Sequence, residues 1–221
     1  VEDVAVIAAV PTIGEAPQLP ALVEALLEGG ASSVLLTVNE ERAVRSVSAH
    51  ATHHRVHVLP IDGSIYEGWN TAMRFARNIE PGARLALLND DLTLHEGAMA
   101  GLERLMDQHP DVAVMGFDYR PDAPRIPQGI KRVQGTFRNN GVHGCALCVD
   151  PGRVREVDPM FEWWYGDDDL VLNAIADGHG VALAEGCRVT HVGEATASKR
   201  PWTHDAKVRD AERFRGKWGD R

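Results

Sequence analysis

Arg84-Leu85-Ala86-Leu87-Leu88-Asn89-Asp90-Asp91 is the stretch whose reading decides the fold. Five residues of buried-strand character run without a break into an amide and two acids. A carboxylate pair at the end of a buried strand is costly unless something cationic neutralises it. A divalent metal with phosphate oxygens does so, and hard oxygen ligands suit Mg²⁺ or Mn²⁺. The competing reading of Asp90 and Asp91 is a helix cap or a solvated turn.

Working outward, Tyr66 to Asn78 reads as a helix closed by Pro81-Gly82, and Gly97 to His109 reads as another. Val4 to Val10 is a continuous apolar run, as in a parallel strand buried on both faces. Leu19, Leu22, Val23, Leu26 and Leu27 recur at helical spacing before Gly29-Gly30. Ser33 to Val38, Val56 to Leu59 and Val112 to Phe117 are β-rich, and Arg42 to His50 is a weaker helix. This β-α-β-α order predicts a parallel, doubly wound sheet in the first half. Ligands of such sheets bind outside the carboxyl ends of the strands. Three loops should therefore meet at one site: Pro11 to Glu15, Asn39 to Glu41, and Asn89 to Asp91.

The chain has 221 residues and a formal net charge of -9, with 44% hydrophobic and 25% charged residues. That suits one α/β domain and gives no broad basic face for a phosphate backbone. No run approaches the ~18 apolar residues of a membrane span. Val1 to Val10 lacks the basic start and small-residue cleavage site of a signal peptide. Cys145 and Cys148 form C-x-x-C, but only Cys187 remains as a further thiol. Zinc would need more. The three read as buried free thiols, with Cys145 and Cys148 on opposite faces of a strand from Gly144 to Val149. Reduced cysteines suit a cytoplasmic compartment.

The second half changes character. Arg120 to Gly141 is rich in Pro, Gly, Arg and Asn without a clear period, and reads as an irregular functional loop. Its Arg120, Arg125, Lys131, Arg132 and Arg138 face Asp122 as its only acid, a local basic patch that hints at a phosphate-bearing acceptor. Trp163-Trp164-Tyr165-Gly166-Asp167-Asp168-Asp169-Leu170 opens a helix to Asp177 with three acids. Fewer acids suffice for the helix dipole. Aromatic faces beside carboxylates are what a sugar site uses, whereas simple core packing is the alternative. Val181 to Ala184 and Cys187 to Thr190 read as two short strands. His191, before Val192-Gly193, is a candidate metal ligand or phosphate contact. Asp205 to Trp218 is a polar final helix anchored by Phe214 and Trp218.

In their order and spacing these motifs resemble the family 2 glycosyltransferases of GT-A fold, in the rhamnosyltransferase-like branch. Val10-Pro11-Thr12 stands at the nucleotide turn, Gly68-Trp69-Asn70-Thr71-Ala72 in the helix before the metal strand, and Leu87 to Asp91 at the Leu-Leu-Asn-x-Asp metal motif. His143-Gly144-Cys145-Ala146-Leu147 matches the acceptor element. Phe161-Glu162 and Gly166 to Leu170 match the Phe-Asp-Glu and Glu-Asp-x-Asp-Leu segments. His191 and Lys217-Trp218-Gly219 complete the series. There are three departures: Gly166 replaces a Glu, Asn39-Glu40 replaces an Asp after the second strand, and the first loop lacks an Arg, with Glu15 nearby.

The resemblance implies a single GT-A domain over 1–221, a Rossmann-like mixed sheet flanked by helices. Residues 1–117 would form the nucleotide-sugar half, and 118–221 the acceptor half and C-terminal helix. It implies inverting transfer of a hexosyl or pentosyl group from a nucleotide-diphosphate sugar, with Mn²⁺ or Mg²⁺ held by Asp91 and His191 and with Asp167 as general base. Pro11, Thr12, Asn39, Asn70, Asn89, Asp90, Lys199 and Arg200 would bind the donor. Gly144, Trp163, Trp164, Tyr165, Asp168 and Asp169 would bind the acceptor, a hydroxyl on a glycan precursor, a small metabolite or a modified nucleobase in DNA. Two rival functions share this outline. A nucleotidyltransferase would want a Gly-rich cationic loop after the first strand, and Pro11 to Glu15 has one Gly and no cation. A non-catalytic nucleotide-sugar or glycan-binding protein would have lost the acids that this chain keeps.

Overall fold

The structure is a computed structural model and describes residues 4–39, 41–49, 51–133, 142–191 and 202–219. The apolar run at the N-terminus is strand β1 (Val6–Thr12), and all seven of its residues are buried. Val6, Ala8 and Val10 belong to one core layer and Ile7 and Ala9 to the other, so β1 divides the molecule. The elements that follow are α1 (Leu19–Glu28), β2 (Ser33–Val38), α2 (Glu41–Ser48), β3 (Val56–Pro60), α3 (Ile65–Ile79), β4 (Arg84–Leu88), β5 (Leu92–Leu94), α4 (Ala98–Gln108), β6 (Val112–Asp118), β7 (Gly129–Arg132), β8 (Ala146–Val149), α5 (Gly166–Ala176), β9 (Gly180–His191) and α6 (Trp202–Trp218). Helices α1, α2 and α4 cover one face of the sheet. Helices α3 and α5, with Phe214 of α6, cover the other.

The strand order is β3-β2-β1-β4-β8-β6-β9-β5, with β7 paired to β9. The first four strands are parallel, as their alternation with helices predicts. β8 runs antiparallel to both β4 and β6, which makes the sheet mixed. Pro11 pairs with Thr37 of β2, while the pairing of β1 with β4 stops at Ala9. Past that point a strand tolerates a residue without an N–H.

Four sequence expectations change. First, the two short strands expected between Val181 and Thr190 are one long β9. Gly186 adopts φ +82, where an added Cβ would stand 2.0 Å from the Ile126 carbonyl oxygen. Its N–H donates to buried Asp118 Oδ2 at 3.1 Å. The pairing of β9 with β6 shifts register between Gly116 and Asp118, yet the chain continues as strand. Second, β5 and β7 were not legible. β5 has three residues and pairs only through β9. β7 lies inside the stretch read as irregular.

Third, two members of that stretch's basic patch are paired with carboxylates. Arg120 bonds both oxygens of Asp118 at 2.8 Å. Arg132 pairs with Asp111 at 2.5 Å, just before the start of β6 and so away from the strand carboxyl ends. Arg138 lies outside the described residues. Fourth, Cys145 and Cys148 pack in the same core layer instead of on opposite faces, because Cys145 precedes β8 and escapes its alternation. All three cysteines are free and buried. Among the described residues, no helix is long and apolar enough to cross a membrane.

Candidate active site

A cleft of about 280 Å³ opens over the carboxyl ends of β1, β2, β3 and β4. The three loops expected to meet do meet there: Pro11, Thr12, Ile13, Asn39, Asn89, Asp90 and Asp91 all line it. Gly144, Trp163, Trp164, Asp167 and His191 complete the wall from the second half of the chain.

β9 explains how His191 arrives. Its last residue pairs with Leu92 of β5, so the imidazole stands beside Asp91 although the two are far apart in sequence. His191 Nε2 is 3.0 Å from Asp91 Oδ1. Asn89 Nδ2 approaches the same nitrogen at 3.3 Å. The Asn89 amide and the Asp91 carboxylate thus both face one ring nitrogen. Asp91 Oδ1 is buried and has no hydrogen-bond partner. A carboxylate oxygen and an imidazole nitrogen thus stand side by side, donor types that a divalent cation accepts. Cis ligands ~2.1 Å from one octahedral ion lie ~3.0 Å apart, so the pair fits a small divalent ion. Among the described residues, no group of three or more His, Cys, Asp or Glu side chains could hold a metal. The pair thus suits an ion that takes its other ligands from phosphate and water, as Mg²⁺-type ions do.

Asp90 has a different environment. Thr12 Oγ1 donates to its Oδ2 at 2.6 Å, and Gly14 N donates to Thr12 Oγ1 at 2.9 Å. Burial pushes the Asp90 carboxyl up to about 6. The Thr12 hydrogen bond opposes that rise and the Asp91 charge adds to it.

Asp167 is the second residue of α5, and Tyr165 precedes the helix in the left-handed region at φ 65. Gly144 N donates to Asp167 Oδ2 at 3.0 Å. A Cβ on Gly144 would stand 2.6 Å from that oxygen, so the contact requires glycine. Burial raises the Asp167 pKa, against amide donors and nearby His143, which lower it. A Cβ on Gly166 would meet the Tyr66 ring at 2.5 Å, which accounts for the departure from Glu at that position.

The aromatic segment is held from behind by α6. Asp210, fully buried, accepts N–H bonds from Glu162 at 3.1 Å, Trp163 at 2.9 Å and Trp164 at 2.9 Å. Trp164 Nε1 donates to the Thr203 carbonyl at 3.1 Å, and Lys207 Nζ lies 4.5 Å from the Trp164 ring centre.

Several expected contacts are not in the cleft. Asn70 is buried and exchanges two 2.9 Å bonds with the Val157 backbone, so it fastens α3 instead of meeting a donor. Tyr165 lies against Phe214 at 5.1 Å. Asp169 is fully buried and receives Trp218 Nε1 at 2.8 Å, Lys217 Nζ at 2.9 Å and the Asp158 amide at 3.1 Å. It joins α5 to α6. Asp168 does not line the cleft. Lys199 and Arg200 lie outside the described residues.

Sequence reasoning did not assign Thr37, Ile61, Ile65, Tyr66, Trp69, Tyr119 or His143 to the wall. Tyr119 Oη and His143 Nε2 share a 2.6 Å hydrogen bond, and burial lowers the His143 pKa. The adjacency of His143 to Gly144 was a signal for one of them. The others carry no local mark in the sequence.

Neither a protein-family model nor a curated protein sequence matches the chain. Solved structures do share its fold. A mannosyltransferase from Pyrobaculum calidifontis, solved with GDP-Man and Mn²⁺, superposes with a TM-score of 0.60 at 17% identity, over 93% of this chain. The match spans 60% of that enzyme's length. The inositol-1-phosphate CTP transferase from T. maritima superposes with a TM-score of 0.57 at 11% identity, over 94% of this chain and 96% of the other. At these identities the likeness establishes the α/β fold with its mixed central sheet.

Proposed function

We propose that the chain is a metal-dependent, inverting glycosyltransferase that moves a sugar from a nucleotide-diphosphate sugar to an acceptor hydroxyl. The observation that carries the reading is the Asp91–His191 pair, 3.0 Å apart, in the same cleft as Asp167. The fold shared with a mannosyltransferase that binds GDP-Man and Mn²⁺ supports it.

Asp91 and His191 would hold the ion, and Asn89 orients the imidazole through its 3.3 Å contact. When bound, a divalent ion supplies Lewis acidity at the diphosphate. Pro11, Thr12, Asn39 and Asp90 bound the donor channel. Lys199 and Arg200, which follow His191 in sequence, are assigned to the donor as well. Asp167 accepts the acceptor hydroxyl proton as that oxygen bonds the anomeric carbon and the glycosyl–phosphate bond breaks. The nucleoside diphosphate leaves with the bonding pair. Burial raises the pKa of this carboxylate, which makes it a stronger proton acceptor. Trp163, Trp164 and Gly144 border the acceptor on the Asp167 side.

The fold of the CTP transferase favours a second reading, nucleotidyl transfer. Among the described residues no Lys or Arg lines the cleft to meet a triphosphate, which weighs against it. Nucleotide sugars incubated with the protein and Mn²⁺ test the two. Metal-dependent release of nucleoside diphosphate is expected. Pyrophosphate release from a nucleoside triphosphate and a sugar phosphate, with no diphosphate release from any nucleotide sugar, would overturn the glycosyltransferase reading.

A further inference from the structure

The Gly144 N–H that reaches Asp167 belongs to the His143–Gly144 peptide, and its aim depends on what holds that peptide. Val142 fixes the chain on one side. It is buried and lies over Gly116 of β6, where an added Cβ would stand 3.1 Å from Val142 Cγ1. Cys145 fixes the other side, its carbonyl accepting the Asn89 N–H at 2.8 Å. Between these points the His143 side chain is exposed and Gly144 has none. The carbonyl of the peptide itself accepts only a 3.3 Å bond, from the Ala146 N–H. A peptide held at its flanks can still tilt, and an N–H···O bond weakens steeply as its angle closes.

Tyr119 limits that tilt. It follows β6 directly, and the antiparallel pairing of β6 with β8, Gly116 opposite Leu147, sets the end of β6 beside the start of β8. Its hydroxyl shares a 2.6 Å hydrogen bond with His143 Nε2, and the two rings meet edge to face with centroids 4.3 Å apart. The imidazole is thus held both at its tip and along its face, at the residue whose carbonyl carbon bears the Gly144 nitrogen. We propose that Tyr119 and His143 form a strut that aims the Gly144 N–H at Asp167 Oδ2, and that both are positioning residues for the base. That Asp167 is the base belongs to the proposed function, and the strut's part in turnover depends on it. The other groups that face Asp167 are the Asp168 amide of its own helix, Tyr66 of α3 and Cys145 before β8, and none of them touches the strut bond. An N–H bond to a carboxylate favours the charged form. Loosening the strut should therefore raise the pKa of Asp167.

The Asp167 carboxyl would be titrated by NMR in protein carrying ¹³C at the Asp carboxyls, with Mg²⁺ present and the signal assigned by its loss in Asp167→Asn. Tyr119→Phe removes the hydroxyl and keeps the ring. It should raise the Asp167 pKa by about one pH unit, the scale of one hydrogen bond to a charged group. Hydrolysis of UDP-glucose, GDP-mannose and dTDP-rhamnose with Mn²⁺ would be followed in parallel. On the one that the parent cleaves fastest, maximal turnover of Tyr119→Phe should fall ~10-fold with donor KM within ~2-fold, and the acidic limb of the pH profile should move up with the pKa. His143→Gln offers the Tyr119 hydroxyl an amide oxygen and should stay close to the parent in both readouts. Adding His143→Ala to Tyr119→Phe should do little further harm, because two residues of one strut are not additive. An unchanged Asp167 pKa in Tyr119→Phe would overturn the strut and leave Val142 and Cys145 as sufficient supports. A shift in His143→Gln with none in Tyr119→Phe would also overturn it, and would assign the effect to the imidazole charge. A parent protein that cleaves none of the three nucleotide sugars would remove the transferase reading and the strut's part in turnover, while the NMR titration would still decide whether the strut holds Asp167.

Discussion

Asp91 and Asp167 carry the proposed chemistry at the scale of single residues, and each gives a separable outcome. Asp91→Ala removes the buried oxygen without a hydrogen-bond partner, so the fold should survive and the Mn²⁺-induced rise in melting temperature should vanish. Excess chelator should abolish activity of the parent protein, and chelator-resistant turnover would remove the metal role. Asp167→Asn keeps the shape but cannot accept a proton. Turnover should fall by about 10² or more with donor binding nearly unchanged. Asp168→Asn should stay active, because Asp168 does not line the cleft. The reverse pattern in turnover would move the base by one residue. The two acids were legible in sequence because each follows a recognisable break, the end of an apolar run or the start of a helix. Asn70, Tyr165 and Asp169 were misassigned because neighbours in sequence need not share a direction. Asp169 follows Asp168 by one helical step of ~100° and turns into the core.

Element positions explain why α6 matters to a site it barely touches. Its Asp210 takes three successive backbone amides of the Trp163 segment, and Arg213 Nη1 donates to the same carboxylate at 3.0 Å. Asp210→Ala leaves buried donors unmade and should cost about 3 kcal/mol or more, seen as a lower midpoint in denaturant. Gly144→Ala acts between elements. The new Cβ would displace Asp167, so activity should fall while the β8 strand it precedes still pairs. Retained activity in that variant would show that the Gly144–Asp167 approach does not matter. Sequence alone placed α6 as a helix anchored by Phe214 and Trp218. It could not reveal Asp210, since an acid on a charged helix looks like surface until its partner loop is known.

At the scale of the whole molecule, two carboxyls among the described residues, Asp90 and Asp167, have pKa values that rise on folding. A folded pKa above the unfolded value contributes stability below the unfolded pKa, and that contribution is lost as pH rises through the folded one. For Asp90 the window runs from 3.8 up to about 6. Metal-free protein should therefore gain most from Asp90→Asn at pH 7.5, by about 2–4 °C for each ~1 kcal/mol, and roughly half as much at pH 5, inside the window. Melting curves of both proteins in chelator, at the two pH values, check this. An equal gain at both would exclude the ionised carboxyl as the cause. Mn²⁺ should reverse the trend and stabilise the parent more at pH 7.5, because metal ligands must be deprotonated.

The local pattern by itself determined the parallel first half, the cleft at its strand ends and the two acid clusters. These follow from apolar periodicity and from the cost of carboxylates beside buried strands, both of which act within a few residues. Tertiary structure alone decided the rest. The continuation of β9 through Gly186 delivers His191 to Asp91, and the antiparallel β8 brings Gly144 to Asp167. The packing of α3 against β2 brings Thr37 and Trp69 together in the cleft wall. Each of these depends on which distant strand or helix becomes a neighbour, and pairing between distant segments leaves no period in the sequence.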